Sequence, residues 1–155
     1  MVTYQAIGLN MKKIYFIAIL LALIFSFHSL ANEITAIKAA ENMKNGLIVI
    51  DVRNKEEWKE TGIIPNSILI QMLSTGRTIR KEYISDLLTA LGDDKDINVA
   101  IICHSGGRSS ATVSMLQDKG FNNIFNISEG MVGNGSTTGW LNRNLPVIDC
   151  NEECK

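Results

Sequence analysis

The sequence predicts an α/β domain built on a parallel sheet, and two observations lead to that fold class. Short, β-branched, continuously apolar runs lie at residues 47–50 and 99–102, which is typical of strands buried on both faces of a parallel sheet. Segments with helical spacing of their apolar residues alternate with the strand-like runs, as in α/β proteins. We therefore expect right-handed crossovers that place helices on both faces of the sheet.

The other elements are justified by their local patterns. Residues 67–70 and 123–127 are weaker strand candidates. Helices are expected where amphipathic spacing is bounded by capping residues or glycines. They are residues 35–45, which end at Gly46; 55–61, which follow Asn54 and carry Glu57 in a capping-box position; 80–91, which have the clearest apolar stripe; and 109–119, with Ser109 as the cap.

The composition is that of one ordinary globular domain. The 155 residues are 46% hydrophobic and have a formal net charge of -1, so the chain has enough apolar mass for a core. The charge also lacks the basic excess that marks a protein for nucleic acid. We therefore expect a single domain at residues 32–148 and no nucleic-acid partner.

The first 31 residues have the layout of a secretory signal peptide. A pair of lysines precedes an apolar run at residues 14–27, and the small residues Ser29 and Ala31 follow it. We predict cleavage after Ala31 and a periplasmic or secreted location, with Met11 as an alternative start of translation. The competing interpretation is an uncleaved anchor facing the periplasm, but the run is shorter than the roughly 20 residues of a bilayer-spanning helix.

Histidine and cysteine usage narrows the chemistry. Removal of residues 1–31 leaves 13 basic and 16 acidic residues and a single histidine, His104. A histidine-rich metal site is therefore excluded, and we expect neither a metal nor a cofactor. Cys103 lies in the middle of the chain, whereas Cys150 and Cys154 lie in a tail at residues 149–155. In an oxidising compartment we expect the tail pair to form a small disulfide ring, with a sulfur or electron relay to Cys103 as the alternative.

The chemistry is expected in the loop Cys103-His104-Ser105-Gly106-Gly107-Arg108. Cys103 ends a buried strand, and ligands of parallel sheets bind beyond the carboxyl ends of the strands. Gly106 and Gly107 are expected to let the backbone curl so that N–H groups converge on the sulfur, and the helix starting at Ser109 adds positive potential. Both effects favour the nucleophilic thiolate. Arg108 is expected to hold an oxyanion beside it.

Asp51 and Arg53 follow another predicted strand and so lie at the same edge of the sheet as Cys103. They can orient the loop or bind substrate, but a structural ion pair is the favoured interpretation because buried charges are normally paired. His104 is open to two interpretations, a residue that tunes Cys103 or contacts substrate and a solvent-facing loop residue.

With these residues the sequence resembles the rhodanese family. The resemblance rests on the loop at residues 103–109 and on the segment Ile50-Asp51-Val52-Arg53-Asn54-Lys55-Glu56-Glu57-Trp58, and it extends through the turn at residues 62–67 to Glu129-Gly130, Trp140 and Leu145-Pro146-Val147. It covers about residues 33–148 and implies a three-layer α/β/α fold with a central sheet of about five parallel strands. Ile63 and Asn66 depart from the family turn, which has histidine and glycine there, and this places the turn geometry in question.

The resemblance also implies an activity. A rhodanese-like enzyme moves a sulfane sulfur, for example from thiosulfate, to a thiol or cyanide-like acceptor through a persulfide on Cys103. A redox partner protein is expected because a reactive thiol in an oxidising space is readily trapped as a disulfide. The main alternative is a non-catalytic binding module or sulfur carrier. A phosphatase or arsenate reductase is disfavoured because related phosphatases use a loop one residue longer. Membrane contact is expected only through an uncleaved signal segment.

Overall fold

The computed structural model describes residues 32–151 and 154. The predicted signal peptide at residues 1–31 lies outside the described residues, as do tail positions 152, 153 and 155. The strands are β1 (Glu33–Ile34), β2 (Ile48–Asp51), β3 (Ile68–Leu69), β4 (Val99–Ile102) and β5 (Ile124–Ile127). The helices are α1 (Ala36–Met43), α2 (Lys55–Thr61), α3 (Tyr83–Leu91) and α4 (Gly107–Gln117), followed by a 3₁₀ turn at Leu141–Arg143.

The strands form one parallel sheet in the order β1-β5-β4-β2-β3. In the central register Ile101 lies opposite Ile50 on one side and Asn126 on the other. The predicted α/β/α fold with a five-stranded parallel sheet is therefore confirmed. Each of the four strand-like runs in the sequence overlaps a strand, whereas β1 has only two residues and gives no pattern to detect.

The core lies on both faces of the sheet because β4 is buried on both faces. Val99 and Ile101 pack in one cluster with apolar residues of α3 and α4, including Leu87 and Leu116. Ala100 and Ile102 face the other cluster, to which α1 contributes Ala36 and Ala39 and the C-terminal region contributes Met131 and Trp140. The continuously apolar sequence of β4 is thus explained by burial on two sides.

Local signals account for most of the helix boundaries. The Thr35 hydroxyl accepts the backbone N–H of Lys38 and begins α1, while Gly92, at positive φ, ends α3. Helix α3 begins at Tyr83, three residues later than predicted. The Arg80 backbone N–H donates to the Met72 carbonyl at 3.0 Å, so Arg80 belongs to the preceding loop. None of the helices in residues 32–151 has the length and apolar character needed to cross a membrane.

The turn between α2 and β3 contains the two departures from the family pattern. Asn66 adopts a φ of 62°, a left-handed conformation that asparagine tolerates better than most non-glycine residues. Ile63 is 2% exposed and forms an antiparallel bridge with Ile148, in which each backbone N–H donates to the other carbonyl at 2.9 Å. The turn is therefore fixed to the start of the C-terminal tail.

Asp51 and Arg53 form a buried ion pair at the end of β2, both side chains being fully inaccessible to solvent. Arg53 Nε donates to both carboxylate oxygens at 3.0 and 2.9 Å, and its Nη2 donates to Asp51 Oδ2 and to the Gly62 carbonyl at 2.7 Å. Its Nη1 donates to Thr61 Oγ1 at 2.6 Å. The pair therefore ties β2 to the end of α2, which is a structural arrangement.

Replacement of Asp51 by alanine is expected to lower the free energy of unfolding by about 3–5 kcal/mol, because it leaves the Arg53 guanidinium buried without a counter-charge. Urea unfolding measures this change. Glu41→Ala is the matched control, since it breaks the exposed Lys38–Glu41 pair, and a change of less than about 0.5 kcal/mol is expected there. Equal losses in the two variants would show that burial of the Asp51–Arg53 pair has no energetic weight.

Candidate active site

Cys103 is a free thiol directly after β4, and the residue is 1% exposed. The Gly106 N–H donates to its sulfur at 3.2 Å, and the Ser109 Oγ lies 3.3 Å from the same atom. The Ser109 hydroxyl also lies 3.0 Å from the Gly106 carbonyl oxygen, so its single proton serves one acceptor at a time. Two donors thus lie where they stabilise negative charge on the sulfur.

The loop depends on Gly106 rather than on both glycines. Gly106 has a φ of 95°, and a Cβ there would collide with the backbone carbonyl of Ser128. Gly107 is the first residue of α4, and a Cβ on it would contact nothing. The expectation that Gly107 curls the backbone is therefore wrong. The predicted cap at Ser109 is also wrong, because α4 starts two residues earlier and Ser109 lies in its first turn, facing the sulfur.

A segment at residues 128–132 supports the loop from one side. The N–H groups of Met131 and Val132 donate to the carbonyl oxygens of Cys103 and His104 at 2.9 and 3.0 Å. Gly130 has a φ of 64°, and a side chain there would collide with the His104 carbonyl. This segment was not among the predicted site residues. The sequence pointed to it through the Glu129-Gly130 pair in the family resemblance.

Glu129 fixes that segment to the rest of the domain. Its carboxylate accepts the backbone N–H of Ala36 at 2.8 Å, at the first turn of α1, and pairs with Arg143, whose Nε lies 3.1 Å away. A carboxylate at a helix N-terminus interacts favourably with the helix dipole. The support of the Cys103 loop is thus anchored to α1 and to the 3₁₀ turn.

The guanidinium of Arg108, which we expected to hold an oxyanion beside the sulfur, is bound by Glu57 of α2. The two terminal nitrogens of Arg108 donate to the two carboxylate oxygens of Glu57, each at 2.7 Å, in the bidentate geometry that makes such pairs strong. Sequence reasoning assigned Glu57 only to the capping box. The contact from Glu57 back to the start of α2 is also present, since Glu57 Oε2 accepts the Asn54 N–H at 2.9 Å.

These contacts alter the ionisation of both partners. Burial by itself would raise the pKa of Glu57, but the hydrogen bonds from Arg108 and from the Asn54 N–H outweigh burial and lower that pKa below its usual value. The hydrogen bonds from Arg108 to Glu57 in turn raise the pKa of Arg108. Glu57 and Arg108 are therefore an ionised pair at the edge of the Cys103 loop.

His104 and Ser105 lie on the outer side of the loop. The His104 side chain is half-exposed, with Nδ1 3.2 Å from Glu57 Oε1, and Ser105 is exposed. Beneath the loop the Tyr83 hydroxyl lies 2.6 Å from Thr112 Oγ1, and burial raises the pKa of Tyr83 above its usual value. Thr112 Oγ1 in turn donates to the Arg108 carbonyl at 2.9 Å, so a neutral tyrosine supports the first turn of α4.

The tail cysteines, Cys150 and Cys154, are joined in a disulfide, with their Cα atoms 5.6 Å apart. Cys154 is buried with Trp58 and Ile63 in a small apolar cluster on α2 and the following turn. In the described part of the chain, no three histidine, cysteine or acidic side chains are grouped as metal ligands. The site therefore consists of a buried cysteine sulfur with two hydrogen-bond donors beside it.

Known proteins resemble this chain in sequence and in fold. Residues 35–135 match the rhodanese-like domain family. The chain belongs to that family. The rhodanese-like chain is 32% identical to an uncharacterised protein of Rickettsia prowazekii over 106 residues, which cover 67% of this chain and 85% of the relative.

Solved structures show the same fold. The crystal structure of Rv0390 from M. tuberculosis has a TM-score of 0.66 at 22% identity and covers 77% of this chain and 98% of that one. A rhodanese-like domain protein from Staphylococcus aureus has a TM-score of 0.55 at 26% identity, with 76% and 99% covered. The rhodanese-like fold is therefore shown by sequence and by structure.

The two loop glycines give a matched pair of variants. Gly106→Ala is expected to destabilise the domain by more than about 1–3 kcal/mol, because the left-handed backbone strain adds to the collision with Ser128. Gly107→Ala is expected to be neutral or to stabilise α4 by up to about 1 kcal/mol, since alanine is the better helix former. Thermal and urea unfolding measure both. A Gly107→Ala variant that is as damaged as Gly106→Ala would contradict the assigned loop geometry.

Glu57→Gln is expected to lower stability in a pH-dependent way. Because folding lowers the pKa of Glu57, the stabilisation by its carboxylate is fully present above its ordinary value of 4.5 and is lost as the pH falls through the lower folded value. The difference in unfolding free energy between wild type and variant should therefore shrink at acid pH. Glu56→Gln, at an exposed neighbouring position, is the control. A difference that is constant with pH would count against the ion pair.

Proposed function

We propose that this rhodanese-like protein is a sulfurtransferase that carries a sulfane sulfur as a persulfide on Cys103. The observation that carries the proposal is the environment of the Cys103 sulfur, which has the Gly106 N–H at 3.2 Å and the Ser109 hydroxyl at 3.3 Å. Donors converging on one sulfur atom suit a nucleophilic thiolate and its regeneration as a leaving group. Membership of the rhodanese-like family supports the same reaction class.

The proposed reaction has two displacement steps. The Cys103 thiolate attacks the outer sulfur of thiosulfate, a sulfur–sulfur bond forms to Cys103, and the sulfur–sulfur bond of thiosulfate breaks so that sulfite leaves with the electron pair. A nucleophilic acceptor, cyanide or a thiolate, then attacks the outer sulfur of the persulfide. The Cys103 thiolate leaves with the electron pair and is restored. Charge returns to Cys103 in the second step, where both donors stabilise it.

The attraction of an anionic donor is assigned to the backbone rather than to a free arginine. Glu57 already neutralises Arg108 through two hydrogen bonds. The N–H groups at the start of the 11-residue helix α4 and the positive end of its dipole then supply the charge that draws thiosulfate to the loop. The half-exposed His104 lies where it can contact the incoming anion.

We also propose that the protein works after export, in the periplasm or outside the cell. The support is the sequence pattern of residues 12–31, a lysine pair, an apolar run and small residues before the cleavage position. In that setting a thiol or a partner protein with reducing cysteines is needed to keep Cys103 reduced.

The activity test uses reduced, purified protein with thiosulfate and cyanide, and it measures thiocyanate. Wild type is expected to turn over and to gain the mass of one sulfur atom after exposure to thiosulfate alone. Cys103→Ser is expected to show neither, and Ser109→Ala is expected to lose about tenfold or more in turnover, since a donor to the reacting sulfur is removed. Equal thiocyanate formation by wild type and Cys103→Ser would refute the proposal.

The burial of Cys103, at 1% exposure, favours a second candidate, a binding module or sulfur carrier without turnover. That candidate predicts either no persulfide or a persulfide that cyanide does not remove. The same mass measurement therefore separates the two functions. A stable, cyanide-resistant persulfide would identify a carrier.

A further inference from the structure

A cavity of about 680 Å³ lies beside the edge strand β3, between α2 and α3. Cys154 of the tail disulfide forms part of its wall, together with Trp58 and Leu69. The charged residues of the wall are Lys55 and the pair Arg80–Asp86, whose nearest atoms are 2.6 Å apart, so among the described residues Lys55 supplies the unpaired positive charge. The volume falls within the range of cavities that bind small molecules. One half of the disulfide therefore borders a space large enough to admit a thiol of peptide size.

The disulfide is also part of the packing of α2. Cys154 is 6% exposed and packs with Trp58, which is 3% exposed, and with Ile63. The indole Nε1 of Trp58 is buried and has no hydrogen-bond partner among the described residues. The tail covers α2 through an apolar contact that closure of the ring holds in place.

Helix α2 connects this contact to the Cys103 loop. Trp58 faces the disulfide, and its neighbour in sequence, Glu57, holds Arg108 at 2.7 Å and lies 3.2 Å from His104. The loop and the tail therefore share one short helix of seven residues. The contact with the tail and the contact with the loop therefore come from adjacent residues of that helix.

We propose that the Cys150–Cys154 disulfide is a thiol-exchange site, reduced by an anionic thiol that enters the cavity, and that its reduction loosens the hold of α2 on the Cys103 loop. The exchange itself is independent of the proposed sulfur transfer, and only its consequence for turnover rests on that function.

The electrons balance in two steps. A thiolate attacks Cys154, a mixed disulfide forms, and Cys150 leaves as the thiolate with the electron pair. A second thiolate attacks the sulfur of the bound thiol, the oxidised thiol dimer leaves, and Cys154 is released as a thiolate. Two thiol molecules supply the two electrons.

The first experiment measures reduction in the folded protein. A Cys103→Ser chain is incubated with glutathione, a thiol that carries carboxylates, and the free thiols are counted by alkylation and mass. Two new thiols are expected while circular dichroism stays native. Reduction that requires denaturant would overturn the exchange site.

Charge reversal tests the route of the thiol. Lys55 is exposed and lines the cavity, whereas Lys59 is exposed on the same helix and does not. Lys55→Glu is expected to slow reduction by glutathione about three- to tenfold, with little effect on reduction by neutral 2-mercaptoethanol. Lys59→Glu is the matched control. Equal rates in the two variants would overturn access through the cavity.

The coupling is measured on Cys103 itself, without an assay of activity. Cys150→Ser/Cys154→Ser leaves Cys103 as the one cysteine of the chain, and its alkylation rate by iodoacetamide is expected to rise at least about fivefold. Asp149→Ser, an exposed tail substitution, should leave the rate unchanged. The same comparison in wild-type protein before and after selective reduction of the tail guards against poor folding of the double variant. An unchanged Cys103 rate in folded protein would overturn the coupling.

A second variant shows whether the effect passes through α2. If the tail acts through Glu57, then adding Glu57→Gln to the double serine variant should change the Cys103 rate less than Glu57→Gln does alone. Additive effects would overturn this path. A failed thiocyanate assay with successful thiol exchange and coupling would refute only the proposed sulfur transfer, so the two failures are distinguishable.

Discussion

The burial of β4 on both faces is the constraint on which the site depends. Its four residues alternate between two apolar clusters, and all four side chains are apolar. A polar site can therefore form only beyond an end of the strand. Cys103 is the first residue beyond the carboxyl end, and it remains buried because the clusters extend to that edge. The chain must then turn at once into α4, and a tight loop around the sulfur is the result of that turn.

The loop is held by two different kinds of contact. On one side, the backbone N–H groups of Met131 and Val132 bond the carbonyls of Cys103 and His104, which fixes the loop backbone without regard to side chains. On the other side, the Glu57 carboxylate receives Arg108 and the Asn54 N–H. An ion pair of this geometry stabilises a fold more than an ordinary surface ion pair does, because it is bidentate and partly shielded from water. The position of the loop therefore depends on the position of α2 as well as on the backbone contacts.

The fold and the position of Cys103 at the end of a buried strand were predictable from local patterns, whereas the contacts that hold the Cys103 loop were not. Continuous apolar runs identified β2 and β4, because these strands are buried along nearly their whole length. Glu57 and Arg108 are 51 residues apart, and no window of local sequence pairs them. The start of α4 was misplaced for a related reason. Ser109 is a favourable cap in isolation, but the left-handed Gly106 ends the loop first, and Ser109 is then drawn to the sulfur.

The two departures from the family turn have different physical consequences. Asn66 adopts a left-handed backbone conformation, the region that glycine occupies most readily. Ile63 changes the packing instead, since its apolar side chain is buried with Trp58 and Cys154. A histidine buried there without a partner would cost about 1–3 kcal/mol in lost hydrogen bonding to water. An apolar residue at position 63 therefore suits a position that the tail covers. The same packing places the disulfide against α2, the helix that binds the Cys103 loop through Glu57.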